Sequence, residues 1–266
     1  MEYHVSGLSI ACMAIGAVMG TVIPIVLFLY LRKKKNASGK AFLCGWLAFF
    51  AAALLLERGF HALVFSTPVG AWIQNNLFFY ALYGGLMAGL FEELARYFCF
   101  SKFLKPEMNN DWNALMYGAG HGGCEMFNIF AVTMVGNLTY ALTLNSQGIT
   151  AFTNGLSGEA LEQMTSIITE LCTVSPGLFL FGLLERVSAI ILQLALSVLV
   201  FYAAKNAGED RKLLLIAVEL HALVDFLAVI LNALVPVAVV ELVVLLLSLG
   251  AAYFARMVWR RHQEAA

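Results

Sequence analysis

Residues 8–35 read LSIACMAIGAVMGTVIPIVLFLYLRKKK, an apolar run from Leu8 to Leu31 closed by Arg32, Lys33, Lys34 and Lys35. An α-helix needs about 20 apolar residues to cross a hydrocarbon core about 30 Å thick, and this run supplies them. It exceeds the about 7–15 apolar residues of a secretory leader, and its basic cluster follows the run instead of preceding it. It therefore reads as a retained first span and not as a cleaved signal.

The same pattern recurs along the chain. Apolar segments lie at about 8–31, 40–65, 77–100, 112–142, 177–204, 212–232 and 237–256, seven in all. The whole chain of 266 residues is 61% apolar and only 12% charged, with a mean hydropathy of +0.82. Soluble domains carry about 25% charged residues, so this deficit excludes a water-soluble enzyme, a coiled coil and a disordered chain. A net charge of −1 gives no electrostatic footprint for nucleic acid. The cysteines Cys12, Cys44, Cys99, Cys124 and Cys172 form no CxxC pair and read as small apolar packing residues. The fold expected is all-α: residues 1–266 as a single integral membrane domain, a bundle of seven transmembrane helices.

The basic residues orient it. Arg32, Lys33, Lys34, Lys35 and Lys40 fall in the first connection, Lys102 and Lys105 in the third, and Lys205, Arg211 and Lys212 in the fifth. Arg256, Arg260 and Arg261 follow the last span. The connections 66–76, 143–176 and 233–236 contain no lysine or arginine. Basic residues mark the cytoplasmic face, so the amino terminus is expected outside the plasma membrane and the carboxyl terminus in the cytoplasm. Within the long outer connection, Leu161, Met164, Ile167, Ile168 and Leu171 recur at helical spacing, with Glu159, Glu162 and Glu170 on the other face. This predicts an amphipathic helix on the outer surface.

Ionisable residues inside the spans are costly, about 2.5–3.5 kcal/mol for a charge at the bilayer centre, and they mark sites of function or of pairing. Glu92 lies about 12 Å from the cytoplasmic end of its span, and His121 and His221 each about 13 Å into theirs, at 1.5 Å per residue. Each has a partner four residues on: Glu92 with Arg96, His121 with Glu125, and His221 with Asp225. Residues four apart share a helix face. Agreement in both depth and facing predicts one site built from three helices. Glu57, Arg58 and His61 in the second span, and Glu185 and Arg186 in the fifth, sit in the outer half and are expected to pair with one another.

Carboxylates and imidazoles in a desolvated setting suit activation of water: one carboxylate takes its proton, and imidazoles bind a metal or donate to an oxyanion. Arg96, one turn from Glu92, is suited to hold a carboxylate ionised and oriented. Gly118, Gly120, Gly122 and Gly123 around His121, and Gly85 and Gly89 before the glutamates, permit close helix approach. Two other classes use the same residues. One is a proton- or ion-coupled transporter, although the chain shows no inverted repeat. The other is a non-catalytic membrane partner subunit in which the polar layer is interhelical glue. A serine protease is weakly suggested by Gly155-Leu156-Ser157-Gly158, but this motif falls in the outer acidic stretch.

The ordered series Phe91-Glu92-Glu93-x-x-Arg96-Tyr97, His121-Gly122-x-x-Glu125, Glu185-Arg186 and His221-x-x-x-Asp225 resembles the YhfC family of intramembrane metalloproteases. It is similar to the wider group of CAAX prenyl endopeptidases and PrsW proteases. The arginine falls one residue earlier than in the CAAX endopeptidases, as in the PrsW-like spacing. The resemblance implies an intramembrane endopeptidase acting on a membrane-associated polypeptide. It implies that Glu92 is the water-activating base, with Glu93 and Arg96 supporting it. His121 and His221 would bind the oxyanion or a divalent metal, with Glu125 and Asp225 orienting or completing that shell. If a metal is used, His121, His221 and Asp225 would form a zinc site with an open position.

Overall fold

A computed structural model describes residues 3–206 and 208–264 of the chain. The chain is an all-α polytopic membrane protein; the described residues contain no strand. Its helices of seven residues or more are α1 (Gly7–Lys35), α2 (Gly39–Phe65), α3 (Pro68–Gln74), α4 (Leu77–Phe103), α5 (Trp112–Gln147), α6 (Gly158–Thr173), α7 (Pro176–Lys205), α8 (Lys212–Leu234) and α9 (Val237–Glu264). Seven of them are long and apolar enough to cross a membrane; α3 and α6 are not among these. Thr67 caps α3, with its hydroxyl accepting from the Gly70 N–H at 3.1 Å. Ser157, the serine of the Gly-x-Ser-Gly stretch, stands just ahead of α6 and opens no spanning helix.

Three spans are not uniform α-helix. They widen to π geometry at Phe50–Glu57, Cys99–Phe103 and Met126–Ala131. Such bulges turn the side chains beyond them to a new facing and occur often at functional sites.

The chain divides into two compact units. The smaller joins the chain up to Val22 with Met126–Arg186. Its core holds Met13, Phe130, Met134, Leu144, Ile168 and Phe179. Asn145 ties its amino-terminal segment down, accepting from the Val5 N–H at 2.9 Å and donating to the Val5 carbonyl at 2.8 Å.

The larger unit comprises Ile23–Glu125 and Val187 onward. Its central post is the second half of α7, where Leu192, Leu196, Leu199, Val200 and Phe201 are all buried. In lipid, apolar burial does not drive helices together, so packing and polar contacts must. Asn113, at the start of α5, does this at the basic end: it accepts from the Ser38 N–H at 2.6 Å and donates to the Glu107 carbonyl at 2.7 Å.

Candidate active site

Two close helix contacts assemble the site. Gly85 and Gly89 on α4 lie against α8; a Cβ at Gly89 would come within 2.7 Å of the Val218 carbonyl oxygen. Gly45 on α2 faces α5 so closely that a Cβ there would come within 2.9 Å of the His121 backbone nitrogen. The first contact sets Glu92 and Glu93 opposite His221. The second seats the His121 turn of α5 on α2.

The glutamates, histidines and arginine then meet in the interior. Glu92, Glu93, Arg96, His121 and His221 are all buried, with Glu93, Arg96 and His121 fully so. One oxygen, Glu92 Oε2, is the hub. It shares a hydrogen bond with His121 Nε2 at 2.7 Å, accepts from the Gln193 amide at 3.1 Å, and lies 3.9 Å from His221 Nε2. His221 Nδ1 donates to Glu93 Oε1 at 2.8 Å, which aims its Nε2 at Glu92 and at Asp225 Oδ2, 3.7 Å away. Fixing one ring nitrogen of a histidine in this way determines what the other can do.

Arg96 carries the compensating charge. Its Nε stands 3.3 Å from Glu93 Oε2, off hydrogen-bond alignment, and its Nη1 donates to the Gln193 carbonyl at 3.0 Å and to Ser197 Oγ at 3.1 Å. Its Nη2 donates to Gln193 Oε1. A buried charge is costly unless paired and hydrogen-bonded; Arg96 is both. The far amide hydrogens of Gln193 donate to Glu92 and, at 3.2 Å, to Glu125 Oε2.

The structure thus brings Glu92, Glu93, Arg96, His121 and His221 into one cluster, with Asp225 beside His221 and Glu125 joined through Gln193. Sequence reasoning missed Gln193 and Ser197. They too are four residues apart in an apolar run of α7, but without a charge or an imidazole that spacing does not single them out.

The outer residues have partners close by. Glu57 pairs with His61 in its own helix at 3.2 Å, and His61 Nδ1 bonds the Tyr83 hydroxyl at 2.9 Å. Arg186 donates to Glu185 beside it. Arg58 is exposed.

The imidazoles are of the kind zinc prefers. The arrangement, however, does not fit a zinc site. Among the described residues no three His, Cys, Asp or Glu side chains are gathered at metal-ligand spacing, so His121, His221 and Asp225 are not assembled as a ligand triad. A metal-bound histidine normally donates its second N–H to an acceptor. His221 has Glu93 in that role, but His121 Nδ1 is buried without a hydrogen-bond partner, its ring set against Phe49 at 5.1 Å.

Comparison with known proteins places the chain in a family. The chain is 33% identical over 254 residues to "Uncharacterized membrane protein YhfC" of Bacillus subtilis (strain 168), covering 94% of this chain and 96% of that protein. No solved structure matches the chain. The model of the family described as YhfC intramembrane metalloprotease matches residues 19–245, which include every residue of the cluster, and the chain belongs to that family.

Proposed function

We propose that the cluster hydrolyses a peptide bond of a membrane-associated polypeptide, with Glu92 as the base. The observation that carries this reading is the environment of Glu92 Oε2: a buried carboxylate oxygen faced by His121, Gln193 and His221 at 2.7, 3.1 and 3.9 Å. In the reaction, water gives a proton to Glu92 and its oxygen bonds to the scissile carbonyl carbon. His121 or His221 donates to the oxyanion that forms. As the C–N bond breaks, the proton held by Glu92 passes to the departing nitrogen, directly or through His221 Nε2. Glu93 holds the His221 ring, and Arg96 holds Glu93 and Gln193; both position groups without touching substrate.

The basic connections set this site toward the cytoplasmic leaflet of the plasma membrane, with the amino terminus outside. The placement near the CAAX and PrsW proteases belongs to the same proposal and rests on the spacing Glu92-Glu93-x-x-Arg96. The family description names a metal, so zinc content is the measurement to pair with activity. Wild type would be compared with His121→Ala and His221→Ala, and zinc lost in step with either imidazole would make both of them ligands.

Comparative proteomics of cells carrying wild type or Glu92→Gln tests the function. The expected result is a membrane protein precursor that accumulates only with the variant. Identical membrane proteomes, with solute or proton flux blocked by the substitution, would replace hydrolysis by transport.

A further inference from the structure

A groove of about 500 Å³ lies between α5, α7 and α9 in the larger unit, and no residue of the Glu92 cluster lines it. Leu115, Ile191, Leu194, Val198 and Ala252 give it apolar walls. At one end its lining changes to Arg256, Arg260 and Gln263, with Trp112 and Trp259. The two indoles pack edge to face at 5.3 Å, and Trp112 also carries the Lys35 ammonium 4.1 Å above its ring. Tryptophan beside basic residues is the signature of the headgroup level of a membrane.

The charge there is unspent. Arg256 and Arg260 stand one turn apart on α9, both exposed, and among the described residues neither forms an ion pair. Lys205, which belongs to the same end of the bundle, is by contrast paired with Asp111 at 2.5 Å. The apolar wall runs along α7 from Ile191 to Val198, about 11 Å at 1.5 Å per residue, most of the about 15 Å of one hydrocarbon leaflet. A slot of that length with two free guanidiniums at its mouth matches a molecule with an acyl chain and an anionic head.

We infer that this groove binds one anionic phospholipid, its acyl chain between α5, α7 and α9 and its phosphate on Arg256 and Arg260. Basic pockets between spans on the cytoplasmic side are suited to such headgroups, and the positive connections put this mouth on that side. The lipid joins the start of α5 to the end of α9, so its binding stabilises the basic end of the larger unit.

The test uses the full chain in a mild nonionic detergent and reads thermal unfolding against added short-chain phosphatidylglycerol, phosphatidylcholine or glycerol 3-phosphate. Phosphatidylglycerol is expected to raise the midpoint saturably, and the other two are expected to leave it within error. Arg256→Gln with Arg260→Gln should weaken the apparent affinity about thirtyfold, the factor for two basic residues at about 1 kcal/mol each. Ala252→Trp, which fills the slot without touching charge, should abolish the effect. Native mass spectrometry of the wild type gives a reading independent of either variant: a retained anionic phospholipid is expected. Equal response to the two lipids, an equal response to glycerol phosphate, no retained anionic lipid, or an unchanged preference in folded variants would overturn the inference.

Discussion

Gln193 sits where two carboxyls and a guanidinium meet, donating to Glu92 and Glu125 and accepting twice from Arg96. A neutral side chain in that position fixes which way each carboxyl points. Gln193→Ala should therefore cost about 1–3 kcal/mol of stability, because it leaves buried donors and acceptors unmet. It should also lower any peptidase activity, which thermal unfolding and a cleavage assay would show together; full activity would remove Gln193 from the positioning role. Three of the four polar pairs in this layer were legible from the sequence because each carried a charge or an imidazole in an apolar span. Gln193 and Ser197 were not, since uncharged polar residues are common in spans and announce a site only when their neighbours in space are known. The local pairing of Glu57 with His61 was likewise hidden: sequence spacing permitted it but could not choose it over a partner on another helix.

At the scale of elements, hydrophobic length gave all seven spans, most ends to within a few residues, as in 77–100 against Leu77–Phe103. The last helix, however, runs on past 256 to Glu264 because its final turns are polar. The amphipathic spacing gave α6. The π segments escaped because a π turn follows from one extra residue accommodated by packing, which no local pattern records. The glycine contacts are the element-level devices that set the site. Gly45→Ala would press a methyl into the Tyr117 turn of α5, and Gly89→Ala would press one into α8. Each should destabilise by about 1–3 kcal/mol as overpacking, and Gly136→Ala, where nothing lies within 4 Å, should not. Thermal unfolding of the three variants checks the contrast; equal effects would mean that close approach is not what these glycines provide.

The turn between α7 and α8 makes a pH-dependent contribution. Burial pushes the Asp210 carboxyl up, but hydrogen bonds from His262 at 2.6 Å and Asn206 at 3.0 Å outweigh it and hold the group below its ordinary 3.8. A carboxyl depressed in the folded state adds stability above its unfolded value and loses it as pH falls further. Unfolding midpoints of wild type should therefore drop below about pH 4 more steeply than those of Asp210→Asn. Parallel curves would show that Asp210 contributes nothing to acid stability.

For the whole molecule, membership in the YhfC family and the seven spans are facts of sequence and structure, while orientation rests on charge asymmetry. It has a direct test in a cysteine-free background. Ser66→Cys, in a connection without basic residues, should react with an impermeant maleimide on intact cells. Asn109→Cys, between Lys105 and the start of α5, should react only after permeabilisation. The opposite pattern would invert the molecule and move the Glu92 cluster to the outer leaflet. Composition was enough to read the spans because a bilayer imposes a length on each of them. Chemistry was not, because the same carboxylates and imidazoles serve a hydrolase or a proton path.

The most direct measurement is therefore of peptide bonds. Wild type and Glu92→Gln, reconstituted in proteoliposomes at equal folded amounts, would be incubated with a library of membrane-inserted polypeptides and the products sequenced by mass spectrometry. The account predicts new chain ends with the wild type and a loss of about 10²–10⁴ in rate with the variant, the range for removing a general base. Cleavage that persists undiminished in Glu92→Gln would contradict it.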